Sequence, residues 1–435
     1  MTILIDEIYR RFQACSGISI DSRTIQNNDC FFALKGARFN GNKYVQEAFN
    51  KGATLAIVDQ DQPISHQASC IRVKNTLETL QKLAAYHRLQ TSQTKWIVIG
   101  GSNGKTTSKE LCKSVLSQRY QTWATIGNYN NHIGVPVSML QVKPNTEVAI
   151  IEIGANHIGE HRQLCEWIQP DYGVITNCGK DHLEGYGSYE AVIQSNKEIY
   201  DYFEANNKGH VFVNAADPLL VDMVNQERAI FYGNDQVFGT IVSVKCHKSE
   251  PLLSVILEDQ DNNNILVNTQ LYGQYNLQNI ALAAGMGKWF GIELRQIGLA
   301  IEAYQPNNYR SQIIEWNGAT VYLDAYNANP TSMMNFLEFI ESRGDTKKMI
   351  VLGSMAELGT FSKQEHQKII KKLNQIEAQQ IILVGEGFKA FQSDRFQWVE
   401  SYKKVNPHWQ QTIDTKGAEI FVKGSRSYTL EKIFE

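Results

Sequence analysis

The stretch that most constrains this chain is residues 95–118. "KWIVIG" is an apolar run of the kind that forms a buried strand, "GSNGKTT" is a glycine-bearing turn, and "SKELCKSVLSQ" has helical composition. Strand, glycine turn and helix in that order open a parallel α/β unit. Glycines let consecutive backbone N–H groups converge on an anion, and a helix N-terminus adds its dipole. In such a loop Lys105 reaches the β- and γ-phosphates and the Thr106 hydroxyl ligates Mg²⁺. The commonest phosphate loop has a further glycine five positions before the Gly-Lys pair, where Ile99 stands here. The competing reading is a glycine turn that carries a solvated lysine. The run Gly-Lys-Thr-Thr between strand and helix favours a phosphate site made by Gly101, Ser102, Asn103, Gly104, Lys105, Thr106 and Thr107.

A chain of 435 residues exceeds one ordinary core, so several domains are expected. Short β-like pieces and the helical "TLETLQKLAAYHRL" make residues 1–83 a small α/β domain. Residues 84–305 alternate apolar runs ("WIVIG", "VAIIEIG", "YGVITN", "HVFVN") with helices, which predicts a mostly parallel sheet covered on both faces. A meander at 239–272 and two helices close that block. "QPNNYR" reads as a hinge, and residues 306–435 repeat the α/β alternation as a third, Rossmann-like domain. The formal net charge of -3 gives no electrostatic case for nucleic acid or an anionic membrane. Seven scattered cysteines without a CxxC pair, and no signal peptide or spanning segment, lead to the expectation of a soluble cytoplasmic protein.

Ligands of open α/β sheets collect at the carboxyl ends of the strands. Glu152 ends the run "AIIE", and a carboxylate there is either a solvated strand-end acid or a second Mg²⁺ ligand. "ITNCGKDHLEGYGS" places His182 at a third strand end, as a surface histidine or a contact to a second metal ion. Asn130 and Asn131 in "GNYNNHIGVP" are loop residues or substrate contacts. Asn276 and Asn279 at the start of a helix, and Asn329 before Pro330, are caps or ligands. Asp324 ends a third-domain strand, with Asn327 close behind.

Taken together, these segments resemble the Mur ligase family of ATP-dependent amide ligases, whose short phosphate loop matches "GSNGKT". Within it the pattern is similar to the branch that adds D-alanyl-D-alanine to UDP-N-acetylmuramoyl-tripeptide. "SIDSRTI", "GNYNNHIGVP", "EIGANHIGE", "NCGKDHLEGYGS", "DAYNANPTSM", "LGSMAELG" and "VKGSRS" carry the likeness across the chain. The resemblance implies three domains, ATP and Mg²⁺, those two substrates, and a monomer. It implies phosphate contacts from 101–107 and one Mg²⁺ on Thr106 and Glu152, with His182 toward a second. Asn276 and Asn279 would lie on the adenine side, and Arg310 and Asp324 would reach the nucleotide from the third domain. Asp21, Ser22, Arg23 and Lys35 of "ALKG" would hold the UDP-sugar. Asn130, Asn131, Asn327 and Asn329 would face the other substrate groups. Three positions depart from the family pattern. Asn196 stands where the family has a lysine that is carbamylated to bridge Mg²⁺. Lys197, one step on, is turned about 100° around the helix, so either Asn196 acts without a carbamate or the helix shifts register to bring Lys197 in, and both are catalytic candidates. Ser354 replaces an Asp, and Tyr309 replaces the Gly before Arg310. The alternatives are another amide ligase of the family, such as a folylpolyglutamate-type enzyme, or a nucleotide-binding homologue that has lost catalysis.

Overall fold

Each of three successive chain segments builds its own sheet. The computed structural model describes residues 4–37, 39–61, 69–233, 239–344, 346–405 and 415–435. The first sheet is parallel and runs Gly17–Ser19, Asp29–Phe32, Leu55–Val58, Cys70–Arg72. Its strands are short and pack apolar side chains on both sides: Cys30, Phe32 and Ile57 face one cluster, and Phe31, Ala56 and Val58 the other. The helix Thr76–Gln90 leaves this sheet, capped by Asn75 accepting from Glu78 N. It runs without a break past position 83, so the sequence boundary between the first two domains falls inside it.

The middle sheet has six parallel strands in the order Ala229–Tyr232, His210–Asn214, Tyr172–Ile175, Lys95–Gly100, Val148–Glu152, Thr122–Ala124. Side-chain alternation along Lys95–Gly100 explains why both faces need helices. Trp96 and Val98 enter the cluster containing Ile199 and Phe203, while Ile97 and Ile99 enter the one containing Leu111, Val115 and Ile280. The edge strands 122–124 and 229–232 are short, with no separate signal of their own in the sequence. The expected meander is present as three antiparallel strands, Val242–Lys248, Ser254–Asp259 and Asn264–Asn268.

The third sheet runs Gln312–Trp316, Ala319–Asp324, Glu419–Lys423, Lys348–Gly353, Gln380–Val384, Phe396–Val399, with only the first pair antiparallel. The meander's exit returns to the third domain. Tyr272 is fully buried with its ring 4.8 Å from Phe339 and 5.2 Å from Tyr322. Leu183 and Val192 of the middle segment join the same cluster. The second and third domains therefore share an apolar seam, and the carboxyl ends of their strands face one another. No helix among the described residues is long and apolar enough to cross a membrane.

Candidate active site

Strand Lys95–Gly100 ends in the glycine-bearing loop 101–104. Gly101 has φ +117° and Gly104 φ +81°, left-handed values that side chains rarely adopt. A side chain at Gly104 would also meet Asn279 Oδ1 at 2.5 Å. The helix Lys105–Leu116 begins at once, so its first N–H groups point along the strand axis into the cleft. Lys105 Nζ donates to Gly101 O at 2.5 Å and to Ser102 O at 3.3 Å, which holds the ammonium over its own loop. Ser102 Oγ donates to Asp181 at 2.6 Å, and Thr176 Oγ1 donates to Asn103 O at 2.7 Å. The neighbouring strand end thus clamps the loop in shape.

Glu152, 2% exposed, is no solvated acid. Its Oε2 accepts from Thr106 Oγ1 at 2.8 Å and its Oε1 from Asn130 Nδ2 at 3.0 Å. Lys109 Nζ lies 3.7 Å from Oε2 with no exposed surface, and donates to Thr125 O. A hydroxyl and a carboxylate oxygen beside a phosphate loop are hard donors suited to Mg²⁺, which takes few protein ligands and completes its shell with phosphate oxygens and water. Among the described residues no cluster of three His, Cys, Asp or Glu is placed to hold a metal ion. His182 adopts φ +47° and its Nδ1 lies 2.7 Å from Glu357 of the third domain. That contact holds the Glu357 carboxyl below its ordinary range, against the opposing effect of burial.

A cleft of about 690 Å³ between the second and third domains gathers most of the expected residues. Ser102 to Thr107, Asn130, Asn131, Glu152, His182, Asn276, Asn279, Arg310, Asp324, Asn327 and Asn329 all line it. Asn276 carries no side-chain cap. Its amide donates to Tyr272 O and accepts from Asn279, whose Oδ1 in turn accepts from Ser108 Oγ. This buried amide chain braces the first turn after the phosphate loop. Asn329 caps its helix and also reaches across the cleft. Its Oδ1 caps the helix Pro330–Ser342, and its Nδ2 donates to Asn103 Oδ1 at 2.8 Å across the domain boundary. Asn131 accepts from Gly134 N and so shapes its loop. Asp324 is held by Lys423 at 2.5 Å. The Arg310 guanidinium stacks 3.7 Å over Tyr326. Tyr309 keeps the left-handed backbone that glycine would take there, at φ +58°, with Arg426 over its ring at 5.4 Å.

Two expected catalytic positions are not on the cleft wall. The helix Tyr189–Asn206 is regular, with no shift of register. Asn196 is 2% exposed and its amide donates to Val192 O, leaving Oδ1 without a partner. Lys197 does not line the cleft and pairs with Asp201. The one-residue offset thus puts the ammonium on the outer face of the helix, as its 100° rotation requires. Neighbouring His161 donates from Nδ1 to Ser195 O at 3.0 Å, and burial pushes its pKa down to about 4. In the first domain Arg23 binds Asp21 through Nε at 3.0 Å and Nη2 at 2.6 Å, Ser22 is buried, and Lys35 pairs with Asp59 at 3.0 Å. These four do not line the cleft. Lys109 and Glu357 had no separate signal in the sequence, one being a polar residue inside a helix and the other a loop acid.

Family models match along the chain: "Mur ligase family, catalytic domain" at residues 14–88, "Mur ligase middle domain" at 99–287 and "Mur ligase, glutamate ligase domain" at 309–425. The UDP-N-acetylmuramoyl-tripeptide–D-alanyl-D-alanine ligase of Treponema pallidum (strain Nichols) is 30% identical over 439 residues, covering 96% of this chain and 92% of that protein. The chain belongs to the Mur ligase family. The ligase of the same name from Bacillus subtilis (strain 168) is also 30% identical, over 434 residues, with the same coverage. Among solved structures, MurF from Acinetobacter baumannii superposes with a TM-score of 0.85 at 27% identity, over 100% of this chain and 98% of that one. The fold also matches MurF ligase from Thermotoga maritima in complex with ADP, with a TM-score of 0.82 at 24% identity over 96% of each chain. The three-domain architecture of this Mur ligase is thus that of its relatives.

Proposed function

We propose that this Mur ligase joins D-alanyl-D-alanine to UDP-N-acetylmuramoyl-tripeptide at the expense of ATP. The observation that carries the reading is the convergence at one crest of Lys105, Thr106 and Glu152, closed from the third domain by Asn329 on Asn103. Relatives of that name match nearly the whole chain, which supports the choice of substrates. The loop N–H groups and Lys105 would hold the ATP phosphates. For this Lys105 exchanges its own loop carbonyls for phosphate oxygens. The tripeptide's terminal carboxylate attacks Pγ, an O–P bond forms, and the bond to ADP breaks. The amine nitrogen then attacks the acyl carbon, and the C–O bond breaks to release phosphate. Mg²⁺, held by Thr106 and Glu152 with His182 toward a second ion, would supply positive charge to the phosphates. The seam around Tyr272 brings the third domain down on the cleft and keeps water from an acyl phosphate. Asp21, Ser22, Arg23 and Lys35 would take the UDP-sugar. One chain builds the complete cleft, and nucleotide substrates together with free cysteines fit a cytoplasmic place of work.

ADP release measured with each substrate alone and with both tests the reading. Release that requires UDP-N-acetylmuramoyl-tripeptide and D-alanyl-D-alanine together is the expected result. Tight ATP binding with no turnover on any amine would sink it.

A further inference from the structure

The incoming dipeptide carries an ammonium group until it is ready to attack, and an available carboxylate near the reacting acyl group binds such a group more strongly than a neutral acceptor does. Three of the cleft's carboxylates are otherwise committed. Glu152 is buried under Thr106, Asn130 and Lys109. Asp324 is locked to Lys423, itself buried. Glu160 accepts from Asn156 N and His157 N through Oε2 at the start of its own helix, and His157 Nδ1 lies 3.6 Å from its Oε1. Glu357 differs. It lines the cleft with half of its side chain exposed, and its only side-chain partner among the described residues is His182, which engages Oε2 alone.

Its place is fixed from both sides of the domain boundary. Glu357 O accepts from Glu184 N at 2.9 Å, and Gly359, with φ +50°, packs on Glu184. Nearby, Lys180 N donates to Thr331 Oγ1 at 2.9 Å. Glu357 itself adopts φ +60°, a strained value for a side-chain-bearing residue that docking must hold. The loop that carries it is thus pressed against His182, whose neighbours form the crest beside the phosphate loop.

Resting on the function proposed above, we propose that Glu357 is the receptor for the ammonium of the incoming dipeptide. Oε2 stays with His182 and Oε1 takes the ammonium. Because Glu357 belongs to the third domain and its anchors to the second, the receptor is complete only when the two are docked. The amine is thereby bound next to the site where the acyl phosphate forms.

The test separates the two half-reactions. In Glu357→Gln the KM for D-alanyl-D-alanine is expected to rise about 10- to 100-fold, the loss of one charge-assisted hydrogen bond. The KM values for ATP and for the UDP-substrate stay within about twofold, and ATP–ADP isotope exchange dependent on the UDP-substrate persists. Glu357→Asp recovers part of the dipeptide affinity. A deamino dipeptide, propionyl-D-alanine, serves as a second probe. It should inhibit the wild-type enzyme far more weakly than the amine binds, and that gap should close in Glu357→Gln. Equal loss of exchange and ligation, or an unchanged gap between the two ligands, would overturn the proposal and leave Glu357 a docking residue. A wild-type enzyme that ignores D-alanyl-D-alanine would instead refute the function on which the proposal rests.

Discussion

Replacing Glu152 by Gln should destabilise the protein as well as silence it, and the reason lies in Lys109. The substitution keeps shape and removes one charge. Lys109 has no exposed surface and sits 3.7 Å from Glu152 Oε2. Removing one member of a buried pair strands the other, at a cost of about 3–5 kcal/mol. Lys109 retains Thr125 O at 2.5 Å and Glu110 at 3.1 Å, and Glu110 is partly exposed. Those contacts offset some of the loss, so the low end, about 3 kcal/mol, is expected. The Gln amide must also place NH₂ against the Asn130 donor or the Thr106 hydroxyl, which adds to the cost. In urea, followed by circular dichroism without ligands, the midpoint should fall by about 1 M. The double variant Glu152→Gln/Lys109→Met removes both charges and should recover most of that fall, because neither charge is left unpaired. Its ADP release should remain lost, since no carboxylate is restored. A single variant that unfolds at the wild-type midpoint, or a double variant no more stable than the single, would refute the reasoning.

Lys105→Ala should leave the circular dichroism spectrum intact, because its ammonium contacts only carbonyls of its own loop, and should lower ADP release by about 10²-fold or more. Asn329→Ala should cost about 1 kcal/mol through the lost helix cap, whereas Asn329→Asp should keep the cap and stability but lose the donor to Asn103. Turnover should fall in both, and equal stability losses would show that the cap reading is wrong. His161 is held neutral in the folded chain by burial, with a pKa of about 4 against 6.5 for the free side chain. Its contribution is complete above pH 6.5 and is lost as pH falls toward 4, because the unfolded chain takes up the proton first. The full effect is about 3 kcal/mol, so His161→Gln should flatten the fall in urea midpoint between those pH values.

The parts of the site that follow from short-range pattern were legible in the sequence. Gly101 to Thr107 announce a phosphate loop because the same few residues supply the left-handed turn, the helix start and the lysine. Glu152 was legible as a polar residue that ends an apolar strand, and His182 as part of the polar loop that follows another. What escaped depends on contacts between distant segments. Lys109 reads as one more polar residue on a helix, and only the packing against Thr125 and Glu152 reveals a buried charge. Asn276 and Asn279 read as caps or ligands; they line the cleft and are joined to each other and to Tyr272, and their bonds to Ser108 and Ser311 come from segments too far apart for any local pattern to show. Position 196 shows the opposite limit. The sequence signalled the missing lysine and left two readings open, Asn196 acting alone or a shifted helix that brings in Lys197; the helix is regular and Lys197 does not line the cleft. The sequence could not show that Asn196 would lie buried against its own helix.

Tyr272 has a consequence for how such a chain can be divided. By sequence it belongs to the segment before the hinge, but its ring completes the aromatic stack of Tyr322 and Phe339 beyond it. A fragment cut at 305 would carry an exposed tyrosine, and the separated C-terminal fragment would have a ring-sized gap in its core. Grafting the last domain of a relative onto this chain therefore requires that the pocket for this one ring be transplanted too. The unit of exchange between family members is the third domain together with the end of the meander, not the third domain alone.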